Sequence, residues 1–506
     1  MQVSHVNFSV GDEWCELQAQ VTGGGMREPF LLWYRFPREL SSSIAVNYGN
    51  PLLVALLLPA MRAGERLSVP APVSAKLLRS ITKIQWIYRA WDRTLEIVAV
   101  DAESRIYDPP QGAEGALFFS CGVDSLYSLV KNSIDHPNKE HDVNRLIVVH
   151  GADINVGGWK ADIYEKMVSN TRLIADHFGQ RTLSVSTNVK DLLAACGIPW
   201  RIGGGPAMAS VGLFLEGICN TVCFAAGSTY DEPRLVGTHP MIDPLWSTEA
   251  ISFADDGTEA TRLEKTRLIS QHQIALDILR VCWAKERPEY NCGRCSKCLA
   301  TMIGLHLSGA LERCRTFPPA IDHDQLRNIP ILIASEEPYF FEEPLDELEE
   351  RPGDSDLADA LREGLAKSRT YFELLAKAKK KIGKLIPVAD PFILVDQDTI
   401  REQLGMGRRI IPFLESGGRF YGNPPDGGTA VRELERLRAD GAKYIVFWSA
   451  DFWWLDFYAE LNQHLRSNYS CLVEDDSLIV FDLRGPLELP KKAELSQEPE
   501  LSREMV

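Results

Sequence analysis

Four cysteines stand close together in the middle of the chain, at Cys282, Cys292, Cys295 and Cys298. The last three form two overlapping Cys-x2-Cys pairs, and such short turns let two sulfur atoms reach one metal ion. Zn²⁺ favours four thiolates in a tetrahedron, and a four-thiolate site leaves no open position for a substrate. The spacing therefore predicts a structural zinc site. The alternative is a chance cluster of buried free cysteines.

A second segment that could do chemistry joins a predicted strand, 116–119, to a predicted apolar helix. Its sequence reads, in order, Ser120, Cys121, Gly122, Val123, Asp124 and Ser125. A strand that turns at once into a helix exposes backbone N–H groups and the positive end of the helix dipole, which together form an anion site. The segment therefore predicts phosphate binding. The alternative is an ordinary strand-to-helix turn in which Asp or Ser caps the helix.

Segment 120–125 resembles the PP-loop of the ATP pyrophosphatases, written Ser-Gly-Gly-x-Asp-Ser, a family that cleaves ATP to AMP and pyrophosphate. Cys121 stands where that family has its first glycine, and its Cβ could crowd a bound pyrophosphate. Together with the four cysteines, the chain resembles the 7-cyano-7-deazaguanine synthase group of this superfamily over about residues 110 to 310. In that group the same cysteine arrangement binds zinc.

The resemblance implies an ATP-dependent carbon–nitrogen ligase that forms AMP and pyrophosphate. Such an enzyme adenylates a carboxylate or carbonyl oxygen of a small molecule and couples it to ammonia or an amine, with ATP, Mg²⁺ and Zn²⁺ as cofactors. Segment 120–125 would bind the nucleotide, and Asp124 would also be catalytic. His150, at the end of the next predicted strand, lies where PP-loop proteins receive adenine and ribose; the alternative is a packed strand residue.

Arg262 and Lys265 stand three residues apart at the start of a predicted helix and share one of its faces. Two cations there could neutralise a leaving pyrophosphate, so we expect both residues to be catalytic. The alternative is a solvated helix whose charges are paired by Glu259 and Glu264.

Two other functions stay open at this point. A PP-loop sulfurtransferase that modifies a nucleobase would need a catalytic cysteine outside the zinc set, and Cys121 is a candidate. A non-catalytic, nucleotide-binding scaffold protein is the other alternative, and it is motivated by the same Cys121 in place of glycine.

The elements that must position these residues follow a strand, glycine turn, helix order from Gly115 onward. Apolar strands that alternate with helices predict an α/β fold with a parallel sheet covered on both faces. The resemblance implies that this sheet is a core of the PP-loop type. The glycines 203–205 indicate a loop before an apolar helix. The predicted domains are an N-terminal α+β domain (1–108), a PP-loop ATPase domain with the zinc site (109–325), an acidic linker and connecting helix (326–388), a smaller C-terminal α/β domain (389–486) and a flexible tail (487–506).

Composition limits the partners. A chain of 506 residues with 45% hydrophobic and 25% charged residues is typical of a soluble, multidomain globular protein. Its net charge of −16 disfavours nucleic acid as a partner. The argument is mild, because segment 336–356 alone holds ten acidic residues against one arginine.

The cellular location is predicted from two features, the N-terminal sequence and the length of the apolar runs. The N-terminus lacks the features of a secretory signal, and the longest apolar run, 51–61, is too short to span a bilayer. We therefore expect a cytoplasmic protein without a membrane partner. Its partners would be a small-molecule carboxylate and an ammonia or amine donor, and a homodimer is also considered.

Overall fold

The computed structural model describes residues 1–44, 48–108, 112–133, 136–156, 161–282, 289–328, 339–397, 399–404, 408–416 and 419–485. The predicted flexible tail, 487–506, lies outside the described residues. The chain divides into two compact units, Met1–Leu365 and Ala366–Val506. The division falls within the segment 326–388 that was predicted to connect domains.

The first unit contains twelve described strands. They are β1 (Gln2–Val10), β2 (Trp14–Thr22), β3 (Phe30–Pro37), β4 (Leu67–Ser68), β5 (Val73–Ser74), β6 (Val100–Asp101), β7 (Ser104–Arg105), β8 (Glu114–Phe118), β9 (Arg145–His150), β10 (Arg181–Thr187), β11 (Cys219–Ala225) and β12 (Ser252–Asp256).

Helices lie between and after these strands. They are α1 (Gly49–Ala63), α2 (Ala75–Trp91), α3 (Val123–Lys131), α4 (Ala161–Phe178), α5 (Val189–Ala195), α6 (Trp200–Phe214), α7 (Arg262–Ser270), α8 (Gln273–Ile278), α9 (Ser296–Leu307), α10 (His323–Arg327), α11 (Tyr339–Glu350) and α12 (Ser355–Leu385), the last of which carries the chain into the second unit.

Ten strands of the first unit form one sheet in the order β12-β11-β8-β9-β10-β3-β2-β1-β4-β6. The five strands from β12 to β10 are parallel, with β8 at their centre. At β10 the sheet continues into the antiparallel strands β3, β2 and β1. The prediction of an α/β fold with a large, mostly parallel sheet is confirmed. The N-terminal strands belong to this same sheet.

The central strands are buried on both faces, which explains their unbroken apolar sequences. In β8, Leu117 packs into one apolar cluster together with α3 and α4. Its neighbours Ala116 and Phe118 face the opposite side and pack with α1 and α6. Helices therefore cover both faces of the sheet, and the apolar run 51–61 lies within the buried helix α1.

Two segments differ from the sequence-based expectation. The glycines 203–205 lie inside α6 and not in a loop. A Cβ at position 205 would lie 1.8 Å from the carbonyl oxygen of Gly237. Glycine is required there by close backbone packing. Most of the acidic segment forms helix α11, which buries Phe341 and Leu348. The charges concealed an apolar stripe at helical spacing.

The second unit is a smaller α/β domain. Its sheet has the order β14-β13-β17-β19-β18, in which β13 is parallel to β14 and β17, while β19 is antiparallel to its neighbours. The elements are β13 (Phe392–Val395), α13 (Arg401–Leu404), β14 (Ile410–Pro412), β15 (Glu415–Ser416), β16 (Arg419–Phe420), α14 (Gly427–Ala439), β17 (Tyr444–Trp448), α15 (Trp453–Phe457), α16 (Ala459–Asn468), β18 (Ser470–Glu474) and β19 (Leu478–Asp482).

None of the helices in the described part of the chain combines the length and the apolar character needed to cross a membrane.

Candidate functional site

Segment 120–125 follows β8, the strand from which the chain adds further parallel strands first on one side and then on the other. From β8 the chain builds β9 and β10 on one side, and later β11 and β12 on the other. In open parallel sheets, ligands bind at the carboxyl ends of the strands at such a switch point. Ser120 is the second residue after β8, and α3 begins at Val123. The fold therefore places the predicted segment where a ligand would be bound.

The polar groups of segment 120–125 form a tight turn. The Ser125 hydroxyl lies 3.3 Å from the Ser120 backbone nitrogen and 3.4 Å from the Ser120 hydroxyl, and it donates to the Gly122 carbonyl at 3.2 Å. Gly122 is the N-cap of α3 and has no side chain to cap the helix, while the Ser120 hydroxyl accepts from the Gly122 N–H at 3.3 Å. Among the described residues, no Asp or Ser side chain caps the first turn of α3, so its N–H groups are available to another acceptor.

Cys121 adopts a backbone conformation that favours glycine, with φ at +60°. The side chain is fully buried, and its Sγ lies 3.6 Å from Thr171 Oγ1 and 3.9 Å from the Met167 carbonyl oxygen, both on α4. Burial raises the pKa of the thiol to about 11. Cys121 therefore packs into the core, where it does not crowd a ligand of the turn.

Asp124 brings together the cations that the sequence singled out. Arg262 Nη1 lies 3.4 Å from Asp124 Oδ2, and Lys265 Nζ lies 3.5 Å from Asp124 Oδ1. The Arg262 side chain is 11% exposed and that of Lys265 only 2%. Lys265 also donates to the Ala226 carbonyl at 2.7 Å, just beyond β11. The two basic residues thus face the start of α3.

The acidic neighbours of this helix have other partners. Glu264 completes a capping box, in which Thr261 Oγ1 accepts from the Glu264 backbone N–H and the Glu264 carboxylate accepts from the Thr261 N–H. Glu259 lies 2.9 Å from Lys131 Nζ. The alternative of a solvated helix with Glu259 and Glu264 pairing its cations is therefore wrong.

Four positive charges act on the one carboxylate of Asp124. Burial alone would raise its pKa, but the charges of Lys265, Arg262, Lys297 and Arg234 outweigh burial and lower the pKa below its ordinary value. We call these four side chains the cationic cluster. Burial lowers the pKa of Arg262; Asp124 opposes this effect, and repulsion by Arg234 adds to it. Arg262 Nε is buried without a hydrogen-bond partner among the described residues. A site with this composition suits a ligand with several negative charges.

Sequence reasoning missed three members of this site. Arg234 lies in the stretch between β11 and β12, and Lys297 is the second residue of α9, between Cys295 and Cys298. Phe340 is the second residue of helix α11, and its ring lies 4.8 Å from Arg234 Cζ and 5.0 Å from Arg262 Cζ. The acidic composition around Phe340 gave no sign of a place beside cations.

Two further predicted residues have mainly packing contacts. Val123 is buried at the start of α3 in the core next to β8. His150 ends β9, and its ring stacks on Tyr164 of α4 with centroids 4.0 Å apart. Burial lowers the pKa of His150, so the imidazole is neutral near pH 7. Its position at the carboxyl end of β9 is compatible with the predicted contact to a nucleotide.

The four cysteines come together as their spacing predicted. The sulfur atoms of Cys282, Cys292, Cys295 and Cys298 all lie within 4.8 Å of one another, and those of Cys292 and Cys298 are 3.9 Å apart. A regular tetrahedron with metal–sulfur bonds of about 2.3 Å places its sulfurs about 3.8 Å apart. Three of the cysteines are buried and Cys295 is half-buried. This donor set could hold a metal ion such as zinc.

Backbone and side-chain groups around the cysteine cluster fix its shape. The N–H groups of Arg294 and Cys295 lie 3.4 and 3.3 Å from the Cys292 sulfur. The buried Asn291 accepts from the Cys282 N–H at 3.2 Å and donates to the Leu279 carbonyl at 2.8 Å. Asn291 thus joins the first ligand to the other three, as the hydrogen bonds around metal ligands commonly do.

One helix connects the cysteine cluster to the cationic cluster. Cys298 and Thr301 lie three residues apart on α9, and Arg262 Nη2 donates to Thr301 Oγ1 at 3.2 Å. The position of the cysteines therefore influences the position of Arg262.

A second group of potential metal ligands is already paired with a lysine. Glu140, His141 and Asp256 have ligand atoms within 4.8 Å of one another. However, Lys131 Nζ lies 2.8 Å from Asp256 Oδ1 and 3.4 Å from Glu140 Oε2. Since a buried ammonium group is paired with these carboxylates and with Glu259, we interpret the group as an ion-pair network.

Compared with known proteins, the chain matches no protein-family model, no curated protein and no solved structure. The properties of the site therefore rest on its own residues.

Proposed function

We propose that the protein is an ATP-dependent ligase that forms AMP and pyrophosphate, with a PP-loop at segment 120–125 and similarity to the 7-cyano-7-deazaguanine synthase group. The observation that carries the proposal is the cationic cluster around Asp124, at the switch point of a parallel sheet. A triphosphate is a ligand with the charge, size and oxygen acceptors that these groups would bind.

The residues would divide the work as follows. The hydroxyls of Ser120 and Ser125 and the N–H groups at the start of α3 would donate to phosphate oxygens, with Gly122 leaving room for the ligand. Arg262 and Lys265 would neutralise the negative charge that leaves with pyrophosphate. Asp124 would hold these two cations in place and offer an oxygen ligand to Mg²⁺, a cation that prefers carboxylate and phosphate oxygens.

The reaction we propose has two steps. An oxygen of the substrate carboxylate bonds to the α-phosphorus of ATP as the bond to pyrophosphate breaks. The nitrogen of ammonia or an amine then attacks the acyl carbon, AMP leaves with the bonding electrons, and the nitrogen loses a proton to give an amide. No covalent intermediate with the protein is needed, so catalysis depends on orientation and on charge neutralisation.

The cysteine cluster would have a structural role in this enzyme. Four thiolates fit Zn²⁺, which would fix the start of α9 without offering an open position to substrate. His150, at the carboxyl end of β9, would lie beside the adenosine part of the nucleotide.

The two other candidate functions lose the observation that motivated them. A sulfurtransferase would need a reactive thiol, whereas Cys121 is fully buried and burial raises its pKa to about 11. A scaffold protein without catalytic activity was suggested because the Cys121 side chain could crowd a ligand. The Cys121 side chain instead points into the core toward α4. Both observations favour the ligase.

Product analysis tests the proposal. The full chain is incubated with [α-³²P]ATP, Mg²⁺, a mixture of small carboxylates and ¹⁵N-ammonium. We expect label in AMP, dependent on the carboxylate mixture, and ¹⁵N in one new amide found by mass spectrometry. Asp124→Ala should abolish both. Label in ADP, or AMP formation unaffected by Asp124→Ala, would contradict the proposal.

A further inference from the structure

Helix α11 presents one ring and two carboxylates on a single face. Phe340, Glu343 and Glu347 are spaced by three and four residues, so they lie along one side of the helix. Thr261 Oγ1 donates to Glu343 Oε1 at 3.1 Å, and the Arg267 guanidinium forms an ion pair with Glu347. The acidic helix is therefore fastened to the start and the middle of α7.

The same face places Phe340 beside two like charges. Its ring centroid lies 4.8 Å from Arg234 Cζ and 5.0 Å from Arg262 Cζ, within the range of cation–π attraction. The two guanidinium groups carry like charges at close range and repel each other; burial is the main cause that lowers the pKa of Arg262, and the charge of Arg234 adds to it. An aromatic ring that attracts both groups offsets this repulsion while no anion is bound.

We propose that Phe340 is a positioning residue, whose ring holds Arg234 and Arg262 together so that both can bind one pyrophosphate group. The inference rests on the proposed function and adds to it a residue from the acidic helix. Arg262 then has three partners that fix its position: the ring of Phe340, the hydroxyl of Thr301 at 3.2 Å and the carboxylate of Asp124 at 3.4 Å. Preorganised cations spend less free energy on ordering when the ligand arrives.

Titration of the full chain with inorganic pyrophosphate and, separately, with AMP tests this role. Phe340→Leu keeps an apolar side chain but removes the aromatic ring, while Phe340→Tyr keeps the ring. We expect Phe340→Leu to weaken pyrophosphate binding about tenfold and Phe340→Tyr to leave it near the wild-type value, with AMP affinity changed less than about twofold in both. Phe341→Leu is the matched control, because Phe341 is a buried core residue: it should lower the melting temperature and leave pyrophosphate affinity unchanged.

The outcomes separate the two proposals. Wild-type affinity for pyrophosphate in Phe340→Leu, or an equal loss of pyrophosphate and AMP binding, would overturn the role of Phe340 and leave the proposed function standing. If the wild-type chain bound neither pyrophosphate nor ATP, both the role of Phe340 and the proposed function would be overturned.

Discussion

The guanidinium group of Arg262 lies 3.4 Å from the carboxylate of Asp124, although 138 residues separate them in the chain. Arg262 is the first residue of α7, and Asp124 is the second residue of α3. Lys265, one turn further along α7, reaches the other carboxylate oxygen at 3.5 Å. Two helix starts thus meet at a single carboxylate beside segment 120–125.

Lys265→Met should lower the rate of AMP formation by about a hundredfold, because it removes a buried cation that would face the leaving pyrophosphate. The rate is measured with [α-³²P]ATP under the conditions that support the wild-type reaction. Lys139→Met serves as the control, since Lys139 is paired with the exposed Asp142. A rate in Lys265→Met equal to that of the control variant would remove Lys265 from the site.

Cys121→Gly should retain AMP formation within about threefold of wild type. Glycine adopts the φ of +60° without strain, and the lost side chain faces α4 and not the ligand. Steady-state kinetics check this. A sulfurtransferase that depends on this thiol would instead lose all activity in Cys121→Gly, and that result would favour the sulfurtransferase over the ligase.

Purified protein should contain about one zinc ion per chain by elemental mass spectrometry, as a single four-thiolate site requires. Cys292→Ser should lose the metal and lower the melting temperature, because metal binding contributes directly to folding free energy. Cys219→Ala, at a buried cysteine of β11, is the control and should keep the metal. A folded wild-type chain without zinc would contradict this assignment.

Stability should fall between about pH 4 and pH 7 because Glu216 loses its proton at a higher pH in the folded than in the unfolded state. Burial raises the pKa of this carboxyl to about 7, although Asn50 lies 3.4 Å away. Since the pKa is higher in the folded than in the unfolded state, the stabilisation is complete below the unfolded value of about 4.3 and is lost as pH rises through 7. Its loss amounts to at most about 4 kcal/mol. Glu216→Gln should flatten the pH dependence of the melting temperature in this window, and an unchanged slope would show that Glu216 is not responsible.

Local patterns predicted the parts of the site that lie within one stretch of chain. Short-range geometry sets three features: the cysteine spacing, the strand-turn-helix at 120–125, and the pair Arg262 and Lys265. In the structure the four sulfur atoms lie together, and both cations lie beside Asp124 in segment 120–125. The parallel sheet could also be predicted from the sequence, because strands buried on both faces are apolar throughout.

The features that could not be predicted depend on contacts between residues far apart in the sequence. Arg234 and Phe340 reach the site from segments whose local composition indicates only a loop and an acidic stretch. The burial of the Cys121 side chain against Thr171 depends on α4, some fifty residues away. Glycines 203–205 were misread as a loop, because the contact that requires Gly205 comes from Gly237.

The most direct test of the account compares the binding of Mg²⁺-ATP with that of AMP by calorimetry on the full chain. If segment 120–125 and the cationic cluster bind the β- and γ-phosphates, ATP should bind at least about tenfold more tightly than AMP, and this preference should disappear in the double variant Arg262→Met/Lys265→Met. Equal affinity for ATP and AMP in the wild-type chain, or a preference that survives in the double variant, would contradict the account.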